Sequence, residues 1–311
     1  MEQFALTETT VAAQAGLAGQ KEQLTIVIPT LNEEGSIGAL IDEVKNQGFE
    51  KIMVADGYSH DGTARIARER GADVVMQHGQ GKAGAMVTAF RAVPTRYLVV
   101  IDGDGSYDPA DIRRFVPLIG EYDLVKGIRA RNENMSGLHK FGNSIITKTF
   151  DLLFGTSIGD VCSGMYMLKT EKVKSLHLEK HPFTVEQEIA AELVVTSSRM
   201  TTVPIGYRKR TGGVSKVNTW RQGFRDLLTN FELARTHNPI MLFSVTASLF
   251  LIPSLGILAY ALLLAVGLDQ YHSGYFLTGL ILLVLGAQGL TVATIGVMLR
   301  RIERRITTAD V

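Results

Sequence analysis

The chain contains one cysteine, Cys162, and one tryptophan, Trp220, in 311 residues. A lone cysteine excludes an intrachain disulfide framework and any cysteine-rich zinc site. Charge of one sign is also missing: 32 Lys and Arg against 31 Asp and Glu leave a net charge of +1. That balance argues against a nucleic-acid-binding protein, whose domain would be strongly basic. The seven histidines show no metal-ligand spacing, and no Ser/His/Asp order stands out. The first twenty residues carry Glu2 and Glu8 but no basic region and no long apolar run. They do not read as a signal peptide, and residues 1–22 are expected to form a flexible tail. At ~150 residues per domain, the length fits one or two units, ample for a packed core.

Charge is absent altogether from two stretches, Ile240–Leu268 and Tyr275–Leu299. Each exceeds the ~20 residues needed to cross ~30 Å of hydrocarbon, so two transmembrane helices are expected. The linker 269–274 has no Lys or Arg, whereas Arg235 precedes the first stretch and Arg300, Arg301, Arg304 and Arg305 follow the second. The positive-inside rule then places both outer flanks in the cytoplasm. Tyr271 and Tyr275 suit the opposite interface, and Gly256, Gly286, Gly289 and Gly296 suit close helix packing.

The part before these stretches alternates short apolar runs with helical patterns. Strands are expected at Leu24–Pro29, Lys51–Ala55, Asp73–Met76 and Arg96–Ile101. Helices are expected from Asn32, over Ala64–Arg70 and over Gly84–Ala92. Such βα units build a mostly parallel sheet, in which ligands bind beyond the carboxyl ends of strands. Three segments lie there: Pro29–Glu33, Asp56–Asp61 and Asp102–Asp108.

Asp102-Gly103-Asp104 follows a strongly apolar strand. Two carboxylates so spaced can share a hard divalent cation, Gly103 permitting the turn; an acidic turn is the plain alternative. Gly79-Gln80-Gly81-Lys82-Ala83-Gly84 matches a dinucleotide fingerprint, but it follows the third strand rather than the first. Its Lys82 suits either a phosphate or a solvated loop. Residues 199–239 hold eight basic and two acidic side chains. Within them Tyr207–Lys216 combines arginines, lysines, glycines and a serine, a mixture able to wrap phosphate or to remain a solvated loop near anionic lipid. From Trp220 to Arg235, residues Trp220, Phe224, Leu227, Leu228 and Phe231 share one helical face, which fits an interfacial helix or core packing. Cys162 reads as structural, and His60 and His139 as surface residues.

Taken together and in order, these segments resemble family 2 glycosyltransferases of GT-A fold, in the polyprenyl-phosphate (dolichyl-phosphate) sugar synthase branch. The resemblance runs from about Leu24 to Lys216. Val27–Glu33, Val54–Thr63, Asp102-Gly103-Asp104, Asp160–Met165, Val185–Glu188, Val203–Ile205 and Arg210 through Lys216 carry it. It implies an α/β GT-A nucleotide-sugar-binding domain with a mostly parallel central sheet over 23–218. A juxtamembrane amphipathic helix (219–238), a two-helix transmembrane hairpin (239–300) and a basic cytoplasmic tail (301–311) would follow.

The resemblance also assigns roles. Pro29, Glu33, Asp56, Lys82 and Asp102 would meet the donor nucleotide. Asp102, Asp104 and Ser106 would face a magnesium or manganese ion. Arg129, Arg210, Ser215 and Lys216 would meet the acceptor phosphate, with Asp104, Arg129, Arg210 and Lys216 counted as catalytic. Two departures stand out: Gly57 replaces a frequent second Asp, and Ser106 a frequent Gln. The implied reaction moves a sugar, with inversion, from a UDP- or GDP-linked donor to polyprenyl or dolichyl phosphate at the cytoplasmic membrane face. No nucleic acid is implied, and homo-oligomerisation stays open. The alternatives are a processive membrane polysaccharide synthase, whose Gln-x-x-Arg-Trp motif Thr219-Trp220-Arg221 does not match, and a non-catalytic membrane scaffold of the same fold.

Overall fold

Why the apolar runs become strands is plain from a computed structural model of the chain, which describes residues 19–131, 135, 137–176, 178, 184–210, 219–268 and 270–309. The first run forms β1 (Leu24–Thr30), buried along its whole length. It lies between β2 (Ile52–Asp56) and β4 (Tyr97–Val100), parallel to both, with Thr30 opposite Asp56 and Val27 opposite Val100. A strand covered on both faces needs apolar side chains at successive positions, which is why these runs show no alternation. β3 (Asp73–Met76) is the more exposed edge strand beyond β2. Helices α1 (Glu34–Asn46), α2 (Thr63–Glu69) and α3 (Gly81–Ala92) make the crossovers.

α3 begins three residues before the expected Gly84. A Cβ on Gly84 would stand 2.8 Å from the carbonyl carbon of Gly79. The glycine-rich turn therefore serves to fold β3 tightly back into α3, and Lys82 falls in the first helical turn.

The sheet is mostly parallel, as expected, and its second half holds the one antiparallel strand among the described residues. The order is β3-β2-β1-β4-β6-β5-β7 in one seven-stranded sheet. β5 (Leu124–Arg131) and β7 (Met200–Gly206) are parallel to one another. β6 (Tyr166–Lys169) is wedged between β4 and β5, antiparallel to both. Two 3-10 helices (Pro109–Arg114 and Val116–Leu118), α4 (Gly137–Phe154), α5 (Thr170–Lys174) and α6 (Val185–Val195) complete the connections. Asp108 accepts a hydrogen bond from the Ala110 amide and so caps the first 3-10 helix. Ile26, Ile28, Val54 and Val99 of the strands pack with Ile37, Ile41, Ile101 and Phe115 in the core.

The chain divides into two compact units, residues up to 151 with 156–229, and residues 152–155 with 230 onward. The first unit extends beyond the expected boundary at 218. Part of the reason is that the Gln187 amide donates to the Asp226 carbonyl in α7 (Thr219–His237). Phe224, Leu228 and Phe231 of α7 are exposed, while Leu233 and Ala234 are buried.

The second unit contains α8 (Pro239–Gly267) and α9 (Ser273–Ala309). Both are long and apolar enough to cross a membrane, α9 over Ser273–Gly296. Small residues bring them together: a Cβ on Gly286 would stand 2.5 Å from the Leu251 side chain, and Ser254 donates to the Gly279 carbonyl. Gly256, expected to help packing, faces open space. α9 also runs on past residue 300 to Ala309 rather than ending in a separate tail. No Gly or Pro follows Gly296 before Ala309 to stop it.

Candidate active site

The carboxyl ends of β1, β2 and β4 converge as expected, and the loop after β4 is tied to its neighbours by specific hydrogen bonds. Ser36 in the first turn of α1 donates to the Gly103 carbonyl at 2.7 Å. Asp104 Oδ1 accepts from the Ser106 amide at 3.0 Å and from Ser106 Oγ at 2.6 Å. Ser106 is therefore buried, orienting Asp104 rather than standing in the opening.

The turn residue is also not the one expected. Gly105, at φ +73°, takes the left-handed conformation. Gly103 is small because a Cβ there would stand 2.8 Å from Thr30 Cγ2.

The later motifs close around this loop. A side chain at Gly164 would collide with the Asp102 carboxylate, so glycine leaves that carboxylate its space. The Gly164 amide donates to Tyr107 Oη at 2.8 Å. Tyr107 bridges to Tyr207 beyond β7, their rings edge to face with centroids 5.4 Å apart. The Arg208 amide donates to the Ser106 carbonyl. Beyond that link, Arg210 reaches Glu33 at 2.5 Å and Asp104 Oδ2 at 3.7 Å.

Lys82 is not a solvated loop lysine. Its Nζ lies 2.6 Å from Asp102 Oδ1 and 2.5 Å from Glu186 Oε1 at the start of α6. Burial works against its charge, yet Asp102 and Glu186 hold its pKa well above the ordinary lysine value. Burial, with Asp104 and Glu186 nearby, pushes that of Asp102 up, while Lys82 opposes the shift.

The remaining expected site residues are placed as follows. Asp56 is fully buried, and its carboxylate accepts from the Ser59 amide and Ser59 Oγ at 2.8 and 2.7 Å. Arg129 forms a two-point pair with Asp160 at 2.6 and 2.8 Å and stacks over Tyr207. It anchors the segment leading to Gly164. Pro29 sits in β1 opposite Ala55. Arg208 pairs with Glu43 and Asp108. His60 and His139 are exposed. Burial pushes the Cys162 thiol up, as fits an inert structural cysteine. Ser215, Lys216 and residues 1–18 lie outside the described residues.

The donor set suits a hard divalent cation. Among the described residues, Lys82 pairs with Asp102 and Glu186, and Arg210 with Glu33 and Asp104. Among the described residues no three His, Cys, Asp or Glu side chains form a closed metal cage. Magnesium or manganese on Asp102 and Asp104 would take its other ligands from water and phosphate, the habit of such ions.

The family profile described as "Glycosyl transferase family 2" matches residues 25–176. Glycosyltransferase AglJ of Haloferax volcanii is 31% identical over 77% of this chain and 81% of its own length. The chain belongs to glycosyltransferase family 2. A dolichyl-phosphate hexose transferase of the same organism is 30% identical to this family 2 chain over 61% of it and 85% of the relative. Among solved structures, glucosyl-3-phosphoglycerate synthase from Mycobacterium tuberculosis, in complex with Mn2+, UDP-glucose and phosphoglyceric acid, superposes with a TM-score of 0.56. It is 22% identical and covers 69% of this chain and 82% of that one. That likeness establishes the shared fold.

Sequence reading missed three participants. Glu186 was visible only as part of an acidic motif, with no signal that Lys82 would meet it. Tyr107 and Tyr207 gave no signal beyond flanking the two loops that they join.

Proposed function

We propose that this glycosyltransferase moves a sugar, with inversion, from a UDP- or GDP-linked donor to polyprenyl or dolichyl phosphate at the cytoplasmic membrane face. The observation that carries the reading is the Asp102/Asp104 pair at the end of β4, enclosed by Lys82 and Arg210, in a chain that continues into two helices able to cross a bilayer. The dolichyl-phosphate hexose transferase relative supports the acceptor class. The Mn2+ and UDP-glucose bound by the solved neighbour support the donor class and the metal.

Asp102 and Asp104 would hold magnesium or manganese, which supplies Lewis acidity toward a departing diphosphate. Ser106 keeps Asp104 turned toward it. Pro29, Glu33 and Asp56 shape the nucleotide side, and Lys82 sits beside Asp102 within reach of the donor's phosphates. Arg129, Arg210, Ser215 and Lys216 serve the acceptor phosphate, with Arg210 spanning Glu33 and Asp104 to fix its approach. Holding two anions in line is the main task of these cations. The attacking oxygen belongs to a phosphate monoester whose second pKa is ~6, so it is already mostly ionised at neutral pH and needs little help from a base.

A panel of labelled UDP- and GDP-sugars, offered to membranes containing the chain with polyprenyl phosphate, tests the reading. Label that becomes extractable into organic solvent in the presence of a divalent cation is the expected result. Label entering a long water-soluble polymer, or no transfer from any donor, would overturn it.

A further inference from the structure

The side chains of Lys82 and Asp102 are 26% and 29% exposed, while that of Glu186, the other partner of Lys82, is only 9% exposed. One ammonium thus joins a shielded carboxylate to a carboxylate at the opening. Asp102 is confined on a second side as well. It packs directly against the Gly164 backbone, where any side chain would collide with it, and its Oδ1 accepts from Lys82 Nζ at 2.6 Å. The dependence is mutual. Burial and the neighbouring carboxylates disfavour the Asp102 charge, and Lys82 opposes them. Burial disfavours the Lys82 charge, and Asp102 and Glu186 uphold it. The carboxylate suited to a divalent ion therefore already carries a cation of the protein's own.

Resting on the reading of the site as a nucleotide-sugar site, we propose that Lys82 couples the divalent ion to the donor. Its ammonium holds Asp102 against a lone ion and yields that carboxylate when a diphosphate replaces it on Nζ. A divalent ion and an ammonium on one carboxylate repel each other strongly in a shielded site. With the ion alone, Lys82 must give up Asp102 and gains nothing in return, and a shielded charge that loses a partner is costly. With the donor, the ammonium exchanges a carboxylate oxygen for a phosphate oxygen. It keeps Glu186 throughout, so its charge is never left unpaired. A lysine suits such an exchange because its ammonium is a point charge on a flexible stem. The forked pair of Arg129 with Asp160, by contrast, is fixed at two points. Lys82 is in this sense a positioning residue, and Glu186 the partner that it retains.

Calorimetric titration of the full-length chain in detergent with Mn2+ tests this, alone and with saturating UDP or GDP, whichever the wild type binds. Asp102→Asn measures Mn2+ bound elsewhere on the chain. Lys82→Met should bind Mn2+ alone about ten- to a hundredfold more tightly than the wild type, the worth of one charge-assisted hydrogen bond. The gain in Mn2+ affinity that the nucleotide brings should shrink by at least about tenfold, and by linkage the gain that Mn2+ brings to the nucleotide should shrink equally. A merely structural bridge predicts the opposite sign, because loosening the site weakens Mn2+ binding with and without nucleotide. Lys82→Gln keeps a donor for Asp102 but not the charge, and should move Mn2+ binding the same way; it decides the matter if the methionine variant does not fold. Unchanged or weaker binding of Mn2+ alone by the folded variants would overturn the inference, and nucleotide binding by the wild type would then leave the nucleotide-sugar reading intact. A wild type that binds neither nucleotide would overturn that reading itself.

Discussion

Lys82 Nζ stands between Asp102 Oδ1, at 2.6 Å, and Glu186 Oε1, at 2.5 Å, so a single ammonium joins the end of β4 to the start of α6. It separates two carboxylates that would otherwise repel one another at the centre of the site. The glycine-rich turn before it has a mechanical purpose: it brings the first turn of α3 close enough for this bridge.

Removing Lys82 should therefore cost stability as well as activity. Lys82→Met is expected to lose about 1.5–3 kcal/mol, the worth of a charge-assisted hydrogen bond in a shielded site. Glu186→Gln in the same background should recover part of that loss. A double-mutant cycle on thermal melting in detergent should return a coupling of about 0.5–3 kcal/mol. Additive effects would mean that the bridge contributes nothing to the fold.

Arg210 reaches Glu33 through Nη2 and Asp104 through Nη1. A lysine carries similar charge but lacks the fork that presents a separate nitrogen to each carboxylate. Arg210→Lys is expected to lower kcat/KM about ten- to a hundredfold. Arg225→Ala, an exposed change on α7, should cost far less. Equal losses measured at varied acceptor would point to general membrane electrostatics instead.

Lys126 gives the fold a pH signature. It is fully buried, donates to the Ser163 carbonyl at 2.8 Å and lies over the Tyr166 ring. Burial pushes its pKa down from the ordinary 10.5 to about 8. Between those values the unfolded chain holds more protons than the native one, so stability from this group rises with pH across that window and is lost as pH falls through about 8. Lys126→Met removes the titration. The Tm of the variant minus that of the wild type should therefore fall steadily from pH 7 to pH 10. A difference that stays constant or grows would contradict the assignment.

Topology is open to labelling because the chain has a single native cysteine, Cys162, which is half-buried and whose thiol burial pushes up. With two spans and both outer flanks cytoplasmic, Tyr271→Cys should react with an impermeant maleimide from the non-cytoplasmic side and Glu303→Cys only from the cytoplasm. Reaction of both from one side would rule out the hairpin.

Much of this architecture was legible in the residues. β1, β2 and β4 announced themselves because strands buried on both faces are written as unbroken apolar runs, and the membrane-length helices because charge vanishes from them. β6 was not legible. Four residues, Tyr166–Lys169, are too few to encode direction, and its antiparallel insertion depends on how Gly164 and Tyr107 fold the preceding segment back. At the site, Asp102 and Asp104 stood out by their place after an apolar strand. The burial of Asp56, the pairing of Arg129 with Asp160 and the turn of Ser106 toward Asp104 did not. Each is a contact between groups whose roles as ligand or as brace look alike in sequence.

The most direct test of the site compares wild-type chain and Asp104→Asn for transfer of labelled sugar to polyprenyl phosphate, with Mn2+ and after EDTA. Asn preserves the shape and the acceptor oxygen for Ser106 but removes the charge. The wild type should transfer with Mn2+ and stop after EDTA, while Asp104→Asn loses most transfer under both conditions and keeps the wild-type Tm to within a few degrees. Full turnover by Asp104→Asn, or undiminished wild-type transfer after EDTA, would contradict a metal-assisted glycosyl transfer at the end of β4.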